Sequence, residues 1–243
     1  MIITSRTNDA VKRVRALHLA KERKETGLHL IEGDKLVLDA IQSGAEIMTV
    51  FATEDYEPIL GVDWVCVSRP VMEAMCESNT PQHLLATVKT PCTACPNSYP
   101  EGLILVLDGL QDVGNVGTII RTSDALGATA VLLSNDAVDP FSPKCVRASM
   151  GSSYHLPVWR GDLEQEIDKL KQQGFSCLCG HLKGETGLVG RSLRTALVVG
   201  NEGNGVRKSI ADRCHKFKLE QKGKAESLNA AIFAAIIMYE LLK

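Results

Sequence analysis

"LILVLDGLQDVGNVGTIIRTSDALGATAVLLS", residues 103 to 134, decides the fold. "LILVLD" is an apolar run of the kind found in strands covered on both faces. The loop "GLQDVGN" follows, then "VGTIIRTSDALG" with helical spacing, then a second apolar run, "TAVLLS". Strand, crossover helix and strand make a βαβ unit, and a βαβ unit makes a parallel sheet.

Downstream the alternation continues. Strands are expected at "HLPVW", "FSCLCG", "TALVVG" and "KFKLE", with helices at about 142–150, 162–173 and 206–213. The chain closes on "SLNAAIFAAIIMYELL", apolar enough for a helix buried on most of its surface. Residues 103–243 therefore read as one α/β domain. Upstream, a helix over residues 9 to 25, capped by Asn8 or Thr7, carries a stripe of Val11, Val14 and Leu17. "LHLIEG", "IMTVFA", "WVCVS" and "HLLATVK" read as strands, with "DKLVLDAIQSG" and "RPVMEAMC" as helices between them. This is a second, smaller α/β domain over residues 1–90. "TPCTACPNSYPEG" has proline and turn residues without apolar period, so residues 91–102 read as a linker.

Composition narrows the class. No apolar run is long enough for a membrane span, and the first residues lack a secretory signal. Eight cysteines in 243 residues are too sparse for a disulfide scaffold. Both point to a reducing, cytoplasmic setting. Cys92 and Cys95 have metal-clip spacing, but no second pair completes a zinc site. His155, His181 and His215 show no metal-ligand spacing and read as structural histidines. The net charge of −2 excludes a uniformly basic chain. Its sign is nevertheless uneven: Arg6, Lys12, Arg13, Arg15, Lys21, Arg23 and Lys24 crowd the first 24 residues. Such an arm suits phosphate backbone, or else forms a solvated helix face.

The second glycine-rich stretch, "VVGNEGNGVRKS" at residues 198–209, fails as a phosphate loop. Two residues separate Gly205 from Lys208, which breaks the register, and Glu202 would repel phosphate. "GLQDVGNVG" has the wrong glycine spacing for a dinucleotide fingerprint. A glycine turn after a parallel strand still lets a ligand approach the backbone. A nucleoside without phosphate, carrying a cationic sulfonium, fits such a loop. S-adenosylmethionine is such a ligand, and a tight turn with no ligand is the alternative.

Taken together, "LDGLQDVGNVGTIIRTSDALGATAVLLS", "LVVGNEGNGV" and "KLEQKGKAESLNAAIFAAIIMYEL" resemble the three motifs of the SpoU (TrmH-like) RNA ribose 2′-O-methyltransferases. "HLIEGDKLVLDAIQSG" and "SNTPQHLLATV" are similar to the substrate-binding domain that precedes the catalytic domain in rRNA-directed members. The resemblance implies a catalytic domain with a trefoil knot, a homodimer, S-adenosylmethionine as cofactor and RNA, above all rRNA, as partner. It assigns Arg121 to the catalytic centre, and places Asn115, Glu202, Ser227 and Asn229 around it. Gly200, Leu219 and Leu228 fall where the family brackets the cofactor. Glu202 is expected to meet the RNA or hold the arginine. Without the motifs, Asn115, Ser227 and Asn229 read as helix caps and the leucines as core. Lys144 and Arg147, in "SPKCVRASMG", join Lys12, Arg13 and Arg15 as expected phosphate contacts. Val113 stands where the family often has proline, and Glu220 stands beside a cofactor contact. A tRNA ribose methyltransferase and an RNA-binding assembly factor of the same fold are the alternatives.

Overall fold

The computed structural model describes residues 2–57, 59, 61–78, 80–187, 192–220, 222–224 and 227–243, so positions 221, 225 and 226 of the third motif lie outside the described residues. The chain forms two compact units.

The first unit comprises Met1–Pro91 together with Asp139–Tyr154. Its elements are β1 (Ile2–Ile3), α1 (Asp9–Ala16), α2 (Ala20–Thr26), β2 (Leu28–Glu32), α3 (Asp34–Gln42), β3 (Ile47–Thr53), β4 (Trp64–Val67), α4 (Arg69–Met75) and β5 (Leu84–Lys89). The sheet runs β1-β4-β3-β5-β2, with β5 antiparallel to both its neighbours. Asn8 caps α1 by accepting the Ala10 amide.

The expected helix over 9 to 25 is instead two helices. Val11, Val14 and Leu17 are buried as the stripe requires, but Leu19 is extended and interrupts the helix. Arg23 explains the break. Its Nη1 donates to the carbonyls of Leu17 and His18 at 2.9 Å each, satisfying the exposed end of α1. Its Nη2 lies 2.7 Å from Asp139 Oδ2. Arg23 is thus a buried, paired residue and leaves the solvated basic arm.

Asp139–Tyr154 was expected within the C-terminal domain and packs in the first unit instead. Phe141 and Val146 enter the core formed by Ile31, Val37, Val50 and Ala86. His29 Nε2 and Tyr154 Oη lie 2.6 Å apart. Burial lowers the His29 pKa to about 4.

The second unit comprises Cys92–Val138 and His155–Lys243. Its elements are β6 (Gly102–Asp108), α5 (Val113–Leu126), β7 (Ala130–Ser134), then, after α6 (Pro143–Ser149) of the first unit, β8 (Val158–Gly161), α7 (Leu163–Gln172), β9 (Ser176–Thr186), β10 (Arg194–Gly200), α8 (Lys208–Ala211), β11 (His215–Lys218) and α9 (Ala230–Leu242). Six parallel strands run β11-β9-β10-β6-β7-β8. Ile104, Val106, Ala196 and Val198 pack with Leu163, Ile167 and Leu170. The alternate residues Leu105, Leu107, Leu197 and Val199 are buried too, as strands covered on both faces must be.

The expected linker belongs largely to this unit. Ala94 bridges to Arg160, and Tyr99 is buried with Trp159 and Phe175 on its edges. Tyr99 Oη donates to Glu166 Oε2 at 2.5 Å. α9 differs from expectation as well. Ala230, Ala231, Ala234, Ile237 and Met238 are buried, but Ile232, Ile236, Tyr239 and Leu242 form an exposed stripe.

Candidate active site

β6 stands where the strand order reverses: β7 and β8 follow on one side of it, β10 and β9 lie on the other. In open parallel sheets the crevice beyond the carboxyl ends of strands at such a reversal is the preferred ligand position. Here it is built from the loop after β6, residues 109–112, and the loop after β10, residues 201–207.

The β10 loop closes on itself. Asn201 and Gly205 exchange backbone hydrogen bonds, and Asn201 Oδ1 accepts the amides of Gly203 and Asn204. The loop folds so tightly over the end of β10 that a Cβ on Gly200 would collide with the Gly205 carbonyl carbon and the Val206 nitrogen. Gly200 is therefore fixed by backbone approach, whatever it later contacts. Asn201 Nδ2 donates to Gly109 O at 2.8 Å and ties the two loops together.

Three expected site residues then meet. Asn229 caps α9, its Oδ1 accepting the amides of Ala231 and Ile232. Its Nδ2 donates to Asn115 Oδ1 at 2.9 Å. Asn115 Nδ2 in turn donates to Glu202 Oε1 at 2.9 Å. Partial burial opposes ionisation of Glu202, but the Asn115 amide and main-chain amides at Gln111, Asp112 and Glu202 itself outweigh it and hold the carboxyl below its ordinary range. One residue from each motif is thus joined in a single chain of hydrogen bonds.

The other expectations fall out as follows. Asn115 is not the cap of α5; Asp112 is, its Oδ1 accepting the Asn115 amide at 2.7 Å. Glu202 pairs with Asn115 rather than with Arg121. Arg121 lies six residues further along α5, which rotates it by about 120° from Asn115. It is exposed and unpaired among the described residues. Ser227, also exposed, precedes the α9 cap by two positions and makes no hydrogen bond among the described residues. Leu219 follows β11 directly and is half-buried, and Leu228 is 37% exposed, so neither is an ordinary core leucine.

In the first unit, Lys12, Arg13, Arg15 and Lys144 are exposed. Arg147 is committed elsewhere: its Nη1 lies 3.4 Å from Glu32 Oε2 and its Nη2 lies 3.5 Å from Glu77 Oε2. The structure thus gives this expected phosphate contact a carboxylate-pairing role.

Residues 102–239 match the SpoU rRNA Methylase family, and residues 8–86 match the MRM3-like substrate binding domain. The chain belongs to the SpoU rRNA methylase family.

Some relatives match along nearly the whole length. The chain is 34% identical over 246 residues to a Bacillus subtilis protein named 23S rRNA (guanosine(2553)-2′-O)-methyltransferase RlmP, covering 98% of each chain. An AdoMet-bound rRNA methyltransferase from Sinorhizobium meliloti superposes with a TM-score of 0.90 at 32% identity, over 99% of this chain and 97% of that one. An RNA methyltransferase of the TrmH family from Porphyromonas gingivalis, described as putative, gives a TM-score of 0.87 at 28% identity, over 97% of each.

Val113, a departure from the SpoU pattern, is the first residue of α5, where the amide that a proline would lack has no partner within the helix. Asp108, Arg207 and Asn201 also build these loops, although no motif marks their role in the sequence. A carboxylate closing the otherwise apolar strand "LILVLD" was the available signal for the first.

Proposed function

We propose that this SpoU-family chain transfers the methyl group of S-adenosylmethionine to a ribose 2′-hydroxyl of RNA, with ribosomal RNA as the substrate class. The observation that carries this reading is the Glu202–Asn115–Asn229 chain at the carboxyl ends of β6 and β10. The names of the full-length relatives support the RNA and the cofactor.

The donor set suits the cofactor. An ionised carboxylate with no lysine in the loop disfavours a polyphosphate and tolerates a sulfonium. Gly200, Leu219 and Leu228 would hold the nucleoside through their backbones. When bound, the cofactor supplies an electrophilic methyl that leaves with its electron pair on sulfur. Transfer needs alignment of oxygen, methyl and sulfur, together with loss of the hydroxyl proton. A guanidinium offers donors and no acceptor, so Arg121 is not the group that takes that proton. It orients a phosphate and stabilises charge growing on the 2′-oxygen. Glu202, Asn115 and Asn229 hold the two loops in register around the reacting atoms, with Ser227 beside them.

Lys12, Arg13, Arg15 and Lys144 supply phosphate contacts in the substrate-binding unit. The stripe of Ile232, Ile236, Tyr239 and Leu242 on α9 is the surface through which two copies pair, since such a row of exposed apolar residues seeks a partner. α9, packed on α5 and β10, lies in the C-terminal part of the chain to which the family resemblance ascribes a trefoil knot. The setting is the cytoplasm.

Labelled methyl transfer to unmodified rRNA and tRNA, followed by digestion to nucleosides, tests the reading. A 2′-O-methylnucleoside from rRNA that disappears with Arg121→Ala is the expected result. Transfer to a base, or tight RNA binding with no affinity for the cofactor, overturns it, the latter in favour of an assembly factor.

A further inference from the structure

Asp108 ends β6 and is 1% exposed, yet it is a carboxylate at the end of a strand of leucine, isoleucine and valine. Burial of such a group is costly unless its oxygens are engaged. Both are. Oδ2 accepts the Arg207 main-chain amide at 2.8 Å, and Oδ1 accepts Arg207 Nε at 2.6 Å with Nη2 also 2.6 Å away. Arg207 Nη2 further lies 3.6 Å from Asp136 Oδ1, in the loop after β7.

The placement of this pair is specific. Asp108 is the sheet partner of Gly200, the residue from which the β10 loop departs. Arg207 is the residue at which that loop ends and α8 begins. Both ends of the loop bearing Glu202 are therefore anchored at one position of β6, the first by strand pairing and the second by the carboxylate. Asp108 is also the last residue before the loop 109–112, whose backbone supports Glu202. Two carboxylates already claim the Arg207 guanidinium, so it is not a free cation offered to a phosphate.

We infer that Asp108 and Arg207 are a positioning pair, a clasp that sets cofactor affinity and the geometry of Glu202 without touching the reacting atoms. The inference rests on the methyltransferase reading above. Asp108→Asn keeps the size of the side chain but turns one acceptor into a donor facing the Arg207 amide or guanidinium. Arg207→Gln removes the fork, and Arg207→Lys keeps the charge and the main-chain amide while losing the bidentate geometry.

The experiment is calorimetric binding of S-adenosylmethionine at 25 °C, paired with hydrogen exchange of residues 201–207 and with RNA affinity. With Asp108→Asn and with Arg207→Gln, the cofactor Kd rises at least tenfold, the loop exchanges faster, the strands of the sheet keep their protection, and RNA affinity stays within twofold. The double variant is no worse than Asp108→Asn alone, and Arg207→Lys recovers part of the loss. If Asp108→Asn does not fold, the two Arg207 variants decide, because that side chain is half exposed and its loss leaves no buried void. Folded variants that bind the cofactor like the wild type overturn the clasp alone. A fall in binding matched by uniform loss of protection throughout the sheet also overturns it, in favour of a purely structural pair. A wild-type protein that binds no cofactor overturns the methyltransferase reading and the clasp with it.

Discussion

Asn229 Nδ2 donates to Asn115 Oδ1 at 2.9 Å, and a helix terminus sets the direction of that bond. The first amides of α9 need acceptors, and Asn229 Oδ1 supplies one. Its amide nitrogen is then turned toward Asn115, which must present oxygen to it and nitrogen to Glu202. The series ends on a carboxylate that, when ionised, only accepts. A cap at residue 229 thus dictates the charge state preferred at residue 202, and motifs far apart in sequence act as one unit.

Reversing that polarity is the sharpest test of it. Asn115→Asp sets a second carboxylate against Glu202, so kcat/KM falls about a hundredfold, whereas Asn115→Ala removes one donor and costs about tenfold. The pH dependence follows from the lowered pKa of Glu202. Its contribution is complete above the ordinary glutamate range and is lost only as pH falls through the lower folded value. Asn115→Ala moves the acid limb of the kcat/KM profile to higher pH. An unmoved limb, with the Glu202 carboxyl followed by carbon NMR, would show that Asn115 does not hold the charge.

Gly200 and Gly205 separate two reasons for glycine in one loop. At Gly200 a methyl meets backbone that cannot yield, so Gly200→Ala costs about 1–3 kcal/mol and abolishes cofactor binding. Gly205 has open space but a φ of +68°, so Gly205→Ala costs about 1–2 kcal/mol through conformation alone. Gly205→Asn recovers most of that, since asparagine tolerates the left-handed region. Thermal melts and cofactor binding on the three variants distinguish the cases; equal behaviour of Gly200→Ala and Gly205→Asn contradicts the steric account.

The parallel sheet was legible because strands covered on both faces write unbroken apolar runs, as residues 103–107 and 196–199 do. The site residues became legible through motif resemblance, but their connections did not. Nothing in the spacing of Asn115, Glu202 and Asn229 announces a shared hydrogen-bond chain, because their proximity is created by strand order. The fate of residues 139–154 was illegible for a similar reason. Phe141 and Val146 look like core of whichever unit is nearest in sequence, and their partner shows only in the fold, where Asp139 meets Arg23 and Tyr154 meets His29. Arg23 itself sat among six other basic residues that are indistinguishable by composition.

That distinction predicts opposite outcomes within the basic segment. Replacing Lys12, Arg13 and Arg15 together by Gln weakens RNA binding and flattens the plot of log affinity against log salt by up to about 2, at about 0.7 per phosphate contact. Stability stays nearly unchanged, since all three are exposed. Arg23→Ala instead breaks a buried pair and uncovers the end of α1, costing on the order of 3 kcal/mol. An unchanged salt slope in the triple variant removes α1 from the RNA-binding surface.

His29 makes the first unit sensitive to acid. It is fully buried, with Nδ1 3.1 Å from Thr90 Oγ1 and Nε2 bonded to Tyr154, and burial lowers its pKa from 6.5 to about 4. Below pH 6.5 the unfolded chain takes up a proton that the folded chain refuses, so stability is complete above that pH and declines until about pH 4. At about 1.4 kcal/mol per tenfold change in proton affinity, the loss reaches roughly 3 kcal/mol. The two tryptophans allow the unit to be watched alone, since Trp64 lies on β4 and Trp159 on β8. With Trp159→Phe as background, Trp64 fluorescence in urea reports the first unit, and its midpoint falls between pH 6.5 and pH 4. His29→Gln starts less stable at pH 7 because its bond to Tyr154 is altered, but it loses less over the same interval. A parallel decline in both proteins would place the acid sensitivity outside His29.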